Sequence, residues 1–390
     1  MKCHGKARAS RSQSGASFAL LRSRGDARPV VANTFDCVVI GAGIHGLCTA
    51  FWLRQLGVRR VAVVEQFECG HTRGSSHGAS RITRSSYAVP EFVALATKAH
   101  REGWPALERA VGRPLRTPTP GVFFGPGDGP IAAYIAATTG ATDQVECLAV
   151  DIARRRFPLL QFDADDHILL DHTAATVHAD ATMASLREWL IEHDVELRWQ
   201  TRVVHAEDQA GSAQLTTDRG EMAAQQIVLA GGAWSARLGG NGDRGPVLRQ
   251  QIGYFELAAP TSSVRAGVFP VWARIGHFVN DFHYGLPATD DRGVKAAVHC
   301  TEGAHCDPDA EPPPIDTESL LTLARQRFAV PVHGLRASEH CIYTMAAGDR
   351  LQATRKTKRL VEVTACSGHS FKFAPVIGRI AADLVVSALR

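Results

Sequence analysis

The apolar positions of this chain change period several times, and the changes mark its elements. Val38, Val39 and Ile40 form a continuous apolar run, as in a strand buried on both faces. Ile44, Leu47, Cys48 and Phe51 recur at helical spacing, and Gly57 can end that helix. Val61–Val64 is a second continuous strand, so the chain opens with a βαβ unit. His71–Tyr87 is polar and glycine-rich and reads as a loop. Pro90 opens a helical pattern through Phe92, Leu95 and His100, which Pro105 should kink. A short strand, Val122–Phe124, lies between glycines, and Asp180 is placed to cap a helix carrying Met183, Leu186, Leu190 and Ile191. Strands follow at Val195–Trp199, Ala213–Thr217 and Ile227–Ala230, then at Ile252–Leu257, Val268–Trp272, His277–Tyr284 and Lys295–His299. Pro270 predicts an edge position for the strand that contains it. An amphipathic helix, Ser319–Phe328, precedes strands Glu339–Thr344 and Leu360–Thr364, and Pro375 starts a last helix with Ile377, Ile380 and Leu384 on one face.

At 390 residues the chain has room for two or three domains. The element order predicts an α/β fold: a Rossmann-type domain from 35–117, 177–246 and 347–390, and a second domain with a mixed β-sheet from 118–176 and 247–346. The net charge of +4 is misleading, because residues 1–34 carry +6 and the rest about −2. A near-neutral globular part argues against a nucleic-acid partner. No apolar run approaches the ~18 residues of a membrane span. The Arg/Ser-rich residues 1–34 read as a disordered or leader segment: a transit peptide, a tail, or translation upstream of the true start. Nine cysteines without a C-x-x-C pair fit a reducing compartment, and the expected location is the cytoplasm.

The first candidate chemistry lies at Gly41, Gly43 and Gly46, a G-x-G-x-x-G turn between the first strand and helix. Such a turn lets backbone approach a pyrophosphate, and the helix N-terminus supplies N–H donors. Glu65, 24 residues after Gly41, ends the second strand, where a carboxylate can accept from a ribose. The motif alone leaves NAD, NADP and FAD open. His299, Cys300, His305 and Cys306 have zinc-like composition, but their spacing is not that of a zinc site, and no metal is expected.

Several rarer pieces narrow the choice: HTRGSSHGASRITRSSY at 71–87, GGAW at 231–234, HYGLP at 283–287, GVKAAVH at 293–299, HCIYT at 340–344 and SGHSFKF at 367–373. With FDCVVIGAGIHG at 35–46 they make the chain resemble, from about Phe35 onward, the family of monomeric sarcosine oxidase and N-methyltryptophan oxidase. These are FAD amine oxidases of the D-amino-acid-oxidase superfamily. The resemblance implies FAD, with its adenosine end held by Gly41, Gly43, Gly46 and Glu65, with Val203 near the adenine, and with Ser75 and Arg81 along the pyrophosphate and flavin. It implies a covalent flavin bond to Cys341, with Gly368 and His369 close to the flavin. Arg84 and Lys372 match the cations that hold a substrate carboxylate, and Lys295 matches the lysine that helps O₂ accept its first electron. Tyr284 and His299 match residues lining the substrate pocket, and Trp272 and Leu286 fall at pocket positions that vary with substrate.

The implied reaction oxidises a secondary (N-methyl or cyclic) amino acid such as sarcosine to an imine, with O₂ giving H₂O₂, in a chain working as a monomer. Two alternatives stand beside it. One is a flavin dehydrogenase, or an oxidase of a primary amino acid such as glycine or a D-amino acid. The other is a redox-inactive flavin-binding subunit, suggested by the basic segment 345–359, where the family has an acidic, apolar one.

Overall fold

A computed structural model describes residues 34–209, 211–239, 244–301, 303–364 and 367–390, all within one compact unit. The expected leader lies outside these residues except for Thr34, which opens the first strand.

The βαβ unit forms where the pattern places it. β1 (Thr34–Ile40), α1 (Ile44–Gln55) and β2 (Val61–Val64) follow one another, with β1 and β2 parallel and Cys37 opposite Val61. Continuous apolar strands need cover on both faces. On one face lie α1, the helix Ala179–Glu192 and the C-terminal helix Ala374–Leu389, sharing a core with Leu47, Phe51, Leu186 and Ile377. On the other face Val38, Ile40 and Val64 pack with Leu215, Met222 and Ile227. The strand Gly220–Leu229 pairs parallel with β1, and Leu360–Thr364 pairs parallel with Gly220–Leu229. The chain therefore returns to its first sheet at the C-terminus.

A second, eight-stranded sheet runs in the order Val332–Ala346, Arg244–Leu257, Val294–Val298, Phe282–Leu286, Val271–Ile275, Gly121–Pro126, Asp166–Asp171, Val145–Leu148. Its registers place Gln250 opposite Cys341, Tyr254 opposite Lys295, and Lys295 opposite Leu286. A three-stranded sheet joins Ser80–Thr83, Ala175–His178 and Arg116–Pro118. Among the described residues no helix is long and apolar enough to cross a membrane.

Five local expectations change. The 71–87 loop contains the strand Ser80–Thr83, whose partner Ala175–His178 is some 95 residues away and leaves no local mark. Pro105 does not simply kink one helix: Pro90–Lys98 passes through a π-turn, Ala99–Gly103, into Trp104–Val111. The proline then sits in a first turn, where its missing N–H is not needed. Asp180 lies in the first turn of its helix and does not cap it. The strand Val271–Ile275 is interior, because Pro270 precedes it and so removes no ladder bond. Residues 277–281 are a turn before the strand Phe282–Leu286, closed by the Arg274–Asp281 ion pair at 2.7 Å.

Candidate active site

One cavity of about 1390 Å³ runs from the glycine turn to the second sheet. At its first end Gly41 has φ +104°, and a Cβ there would stand 2.5 Å from the Ala230 carbonyl oxygen. At Gly46 a Cβ would stand 1.9 Å from the Gly41 oxygen, so α1 can start directly against the turn only with glycine. Gly46 does not line the cavity; Gly41 and Gly43 do. An added methyl at Gly43 would meet only the Ser76 hydroxyl, at 3.2 Å, and would project into the space a ligand needs. The buried Glu65 carboxylate accepts from the Ala42 amide at 2.9 Å and from the Phe67 amide at 3.1 Å. Burial alone would raise its pKa, but His71 and these amides hold it below the ordinary value. Val203, Trp199 and Trp234 complete this end. Turn, helix N-terminus and terminal acid form a cradle at the C-terminal ends of parallel strands, where a dinucleotide sits in this architecture.

At the other end two buried cations face the cavity. The Arg84 guanidinium lies 4.1 Å from the ring centre of Tyr87, 4.8 Å from Phe123 and 5.5 Å from Tyr134, and its Nη1 has no hydrogen-bond partner. Lys372 Nζ donates to the His369 carbonyl at 2.9 Å. Its pKa is pushed well down by burial first, then by Arg84 and Arg81. Among the described residues neither cation has a carboxylate within ion-pair distance. Neutral rings surround them. His299 is lowered to about 3 and His369 well below its ordinary value, each mainly by burial. Tyr284 is raised to about 12 by burial, and its hydroxyl is 3.4 Å from that of Tyr343. Gly368, at φ +71°, lets this wall close: a Cβ would stand 2.4 Å from the Tyr343 ring and 2.7 Å from His299.

Lys295 is 2% exposed, and its Nζ lies 3.4 Å from the Ser80 carbonyl and 3.6 Å from Glu339 Oε1. Burial, then Arg81, lowers it to about 8, while Glu339 opposes the shift. Glu339 also accepts from the Tyr254 hydroxyl at 2.7 Å and lies 3.9 Å from Arg292. Cys341 is buried, two residues along that strand from Glu339, and lines the cavity. The loop is tied to this strand: Ser75 Oγ donates to the Ile342 carbonyl at 2.5 Å. Arg81 lines the cavity but donates to the carbonyls of Ser75, His77 and Ser80, so it orders its own loop.

Fourteen of the fifteen residues expected to hold cofactor, substrate or O₂ thus line one cavity, and Gly46 does not. Trp272 is a correction. It points to the opposite face of its strand, into a core with Phe124 and Phe328, while its neighbours Ala273 and Ile275 line the cavity. Leu286 does line it. Of the basic segment 345–359, Met345 and Asp349 line the cavity while none of 350–359 does, and Gln352–Arg355 pairs with Leu360–Thr364. Among the described residues no group of His, Cys, Asp and Glu is arranged to hold a metal.

Sequence reasoning missed Glu339 and Asp171. The fully buried Asp171 accepts from the amides of Ser85 and Ser86 at 2.8 and 2.9 Å and from the Ser86 and Thr173 hydroxyls at 2.7 and 2.6 Å. It thereby fixes the backbone just after Arg84. Glu339 could have been flagged as an acid two residues before Cys341 on an alternating strand. Asp171 carries no comparable local signal.

The residues suit FAD: a cradle that Cβ atoms would fill, a long cavity leading away from it, and a cysteine with a buried lysine beyond. Comparison with known proteins agrees. The FAD dependent oxidoreductase family model, DAO, matches residues 36–384. The chain is 31% identical to the peroxisomal sarcosine oxidase of Mus musculus, over 90% of this chain and 92% of that one. It is 30% identical to the monomeric sarcosine oxidase of Streptomyces avermitilis, over 92% and 95%. Among solved structures, the open form of NikD, an unusual amino acid oxidase, superposes with TM-score 0.78 at 25% identity, covering 91% of this chain and 94% of that one. Glycine oxidase from Geobacillus kaustophilus, at TM-score 0.73 and 18% identity over 91% and 95%, shares the fold. With cradle, cavity and sequence in agreement along nearly its whole length, the chain belongs to the DAO family and is an FAD dependent oxidoreductase.

Proposed function

We propose that the protein is an oxidase of a secondary amino acid, N-methyl or cyclic, such as sarcosine. It would produce an imine and H₂O₂ and work as a monomer in the cytoplasm. The observation that carries this reading is the pair of buried basic side chains, Arg84 and Lys372, with no carboxylate at ion-pair distance among the described residues. Buried charge is costly unless paired, so the site is built for an anion from outside. Each charge-assisted bond to a substrate carboxylate contributes ~1.5–3 kcal/mol, and the planar guanidinium fixes orientation.

FAD, when bound, supplies the two-electron acceptor for the C–H bond next to nitrogen. The protein prepares the amine. Two cations beside it disfavour the ammonium form, and the neutral rings of His299 and His369 add no charge, so nitrogen presents its lone pair. Tyr284 and Tyr343 place hydroxyls at the same wall. Lys295, protonated below about pH 8, sets a fixed cation where O₂ must accept an electron. Cys341 is the residue we assign to a covalent flavin bond. Gly41, Gly43, Glu65 and Val203 would hold the adenosine end, Ser75 and Arg81 the middle, and Gly368 and His369 the flavin. We assign 35–117, 177–246 and 347–390 to the FAD-binding domain, and 118–176 and 247–346 to the domain that covers the substrate.

Mixing the holoenzyme anaerobically with sarcosine, N-methyltryptophan, pipecolate, proline and glycine tests this reading. Bleaching of the flavin by a secondary amine, followed on aeration by H₂O₂ release, is expected. No bleaching by any of them would refute an amine oxidase.

A further inference from the structure

The substrate end of the cavity is apolar well beyond what two cations and an amine require. Eight large hydrophobic side chains are exposed among the described residues, and four of them, Val89, Val204, Phe278 and Val279, line this one cavity. Exposed apolar residues scattered singly are ordinary, but several lining one cavity mark a binding surface. Val204 adjoins Val203 at the glycine-turn end. The other three belong to the opposite end. Val89 follows Tyr87, whose ring stacks on Arg84, and opens the helix of Phe92, whose ring is 5.1 Å from that of His369. Phe278, 77% exposed, and Val279, 57% exposed, form the turn between the strands that carry Ala273 and Ile275 on one side and Tyr284 on the other. Phe282, at the base of that turn, lies 4.7 Å from the His299 ring.

The turn is anchored. His277 pairs with Asp128 at 3.2 Å, Arg274 with Asp281 at 2.7 Å, and Gly276 accepts no Cβ because the Asp281 carboxylate fills that space. The turn is thus tied on both sides of Phe278, whose ring stays exposed. A ligand no larger than sarcosine carries one methyl group and would leave this rim uncovered.

We infer that the amino acid this site takes bears a bulky apolar or aromatic substituent. Its carboxylate would lie on Arg84 and Lys372, and its apolar group would extend past Ile275 and Phe282 to the rim of Val89, Phe278 and Val279. The inference rests on the oxidase reading above and names the substrate class within it.

Calorimetric titration of the holoenzyme with propionate and 3-phenylpropionate tests the pocket without turnover. The phenyl acid should bind at least about tenfold more tightly, the lower end of what one methylene is worth in an apolar pocket. In Phe278→Ser that ratio should fall by about fourfold or more, as part of the apolar contact with the phenyl ring is lost. In turnover, kcat/KM for N-methylphenylalanine should exceed that for sarcosine by at least about tenfold, and Phe278→Ser should narrow the gap through KM. Equal binding of the two acids, an unchanged ratio in Phe278→Ser, or sarcosine as the better substrate would each overturn the inference. Failure of both amines to bleach the flavin anaerobically would instead overturn the oxidase reading, and the calorimetric ratio reports on the pocket independently.

Discussion

Glu339→Gln removes the one carboxylate that faces Lys295 among the described residues. At 3.6 Å the pair attracts by about 4–5 kcal/mol at an effective dielectric of about 20. Much of that is shared, because Glu339 also holds the Tyr254 hydroxyl and faces Arg292, and its side chain is 19% exposed. If about a third survives in the protonation equilibrium of Lys295, the change is about 1.4 kcal/mol, or one pKa unit. The sign is downward: the carboxylate favours the charged lysine, so its loss moves the Lys295 pKa from about 8 towards about 7. The charged form is the one proposed to assist O₂. Stopped-flow reoxidation of reduced enzyme from pH 6 to 9 reads this directly. At pH 6 the variant and the parent should reoxidise at similar rates. At pH 8 the variant should be about fivefold slower, with its midpoint displaced about one unit to lower pH. A loss of rate equal at every pH would indicate a structural role for Glu339. A variant profile that superimposes on the parent's would refute the coupling.

Three further outcomes follow from the same geometry. Lys372→Met should leave the protein yellow and raise the KM for the amino acid about tenfold or more, the loss of one charge-assisted bond, as measured by initial rates across substrate concentration. Acid precipitation should leave the flavin with the pellet for the parent and release it to the supernatant for Cys341→Ser; release from the parent would contradict the bond. Gly46→Ala forces a Cβ to within 1.9 Å of the Gly41 oxygen, so thermal denaturation should show a loss of at least about 1–3 kcal/mol together with poor FAD retention. A variant as stable and as yellow as the parent would show that the turn can open.

The first βαβ unit was legible because it is local. Continuous apolar strands, an i, i+3/i+4 stripe and a glycine turn lie within 31 residues, from Phe35 to Glu65, and the structure places β2 and Leu360–Thr364 at the expected limits. Lys295 was legible as a charge inside an apolar strand, and it is buried. Other features depended on contacts that no local pattern encodes. Trp272 is assigned to core or cavity by which face of its strand the sheet turns inward. Asp171 secures the turn after Arg84 from 85 positions away. Lys295 meets Glu339 only because the strand Arg244–Leu257 pairs with both of their strands.

The amino-acid sequence by itself determined the glycine turn with its terminal acid, the class of fold and a set of candidate residues that the cavity brings together, because those follow from short-range periodicity and from distinctive residue groups. Only the tertiary structure decided which charges meet, which rings face the cavity and what surrounds its mouth. Arg84 and Lys372 were singled out in sequence by the family resemblance, and no local pattern pairs them. They become the proposed anion site because the fold buries both with no carboxylate at ion-pair distance among the described residues, and burial is what makes an unpaired charge demand a ligand.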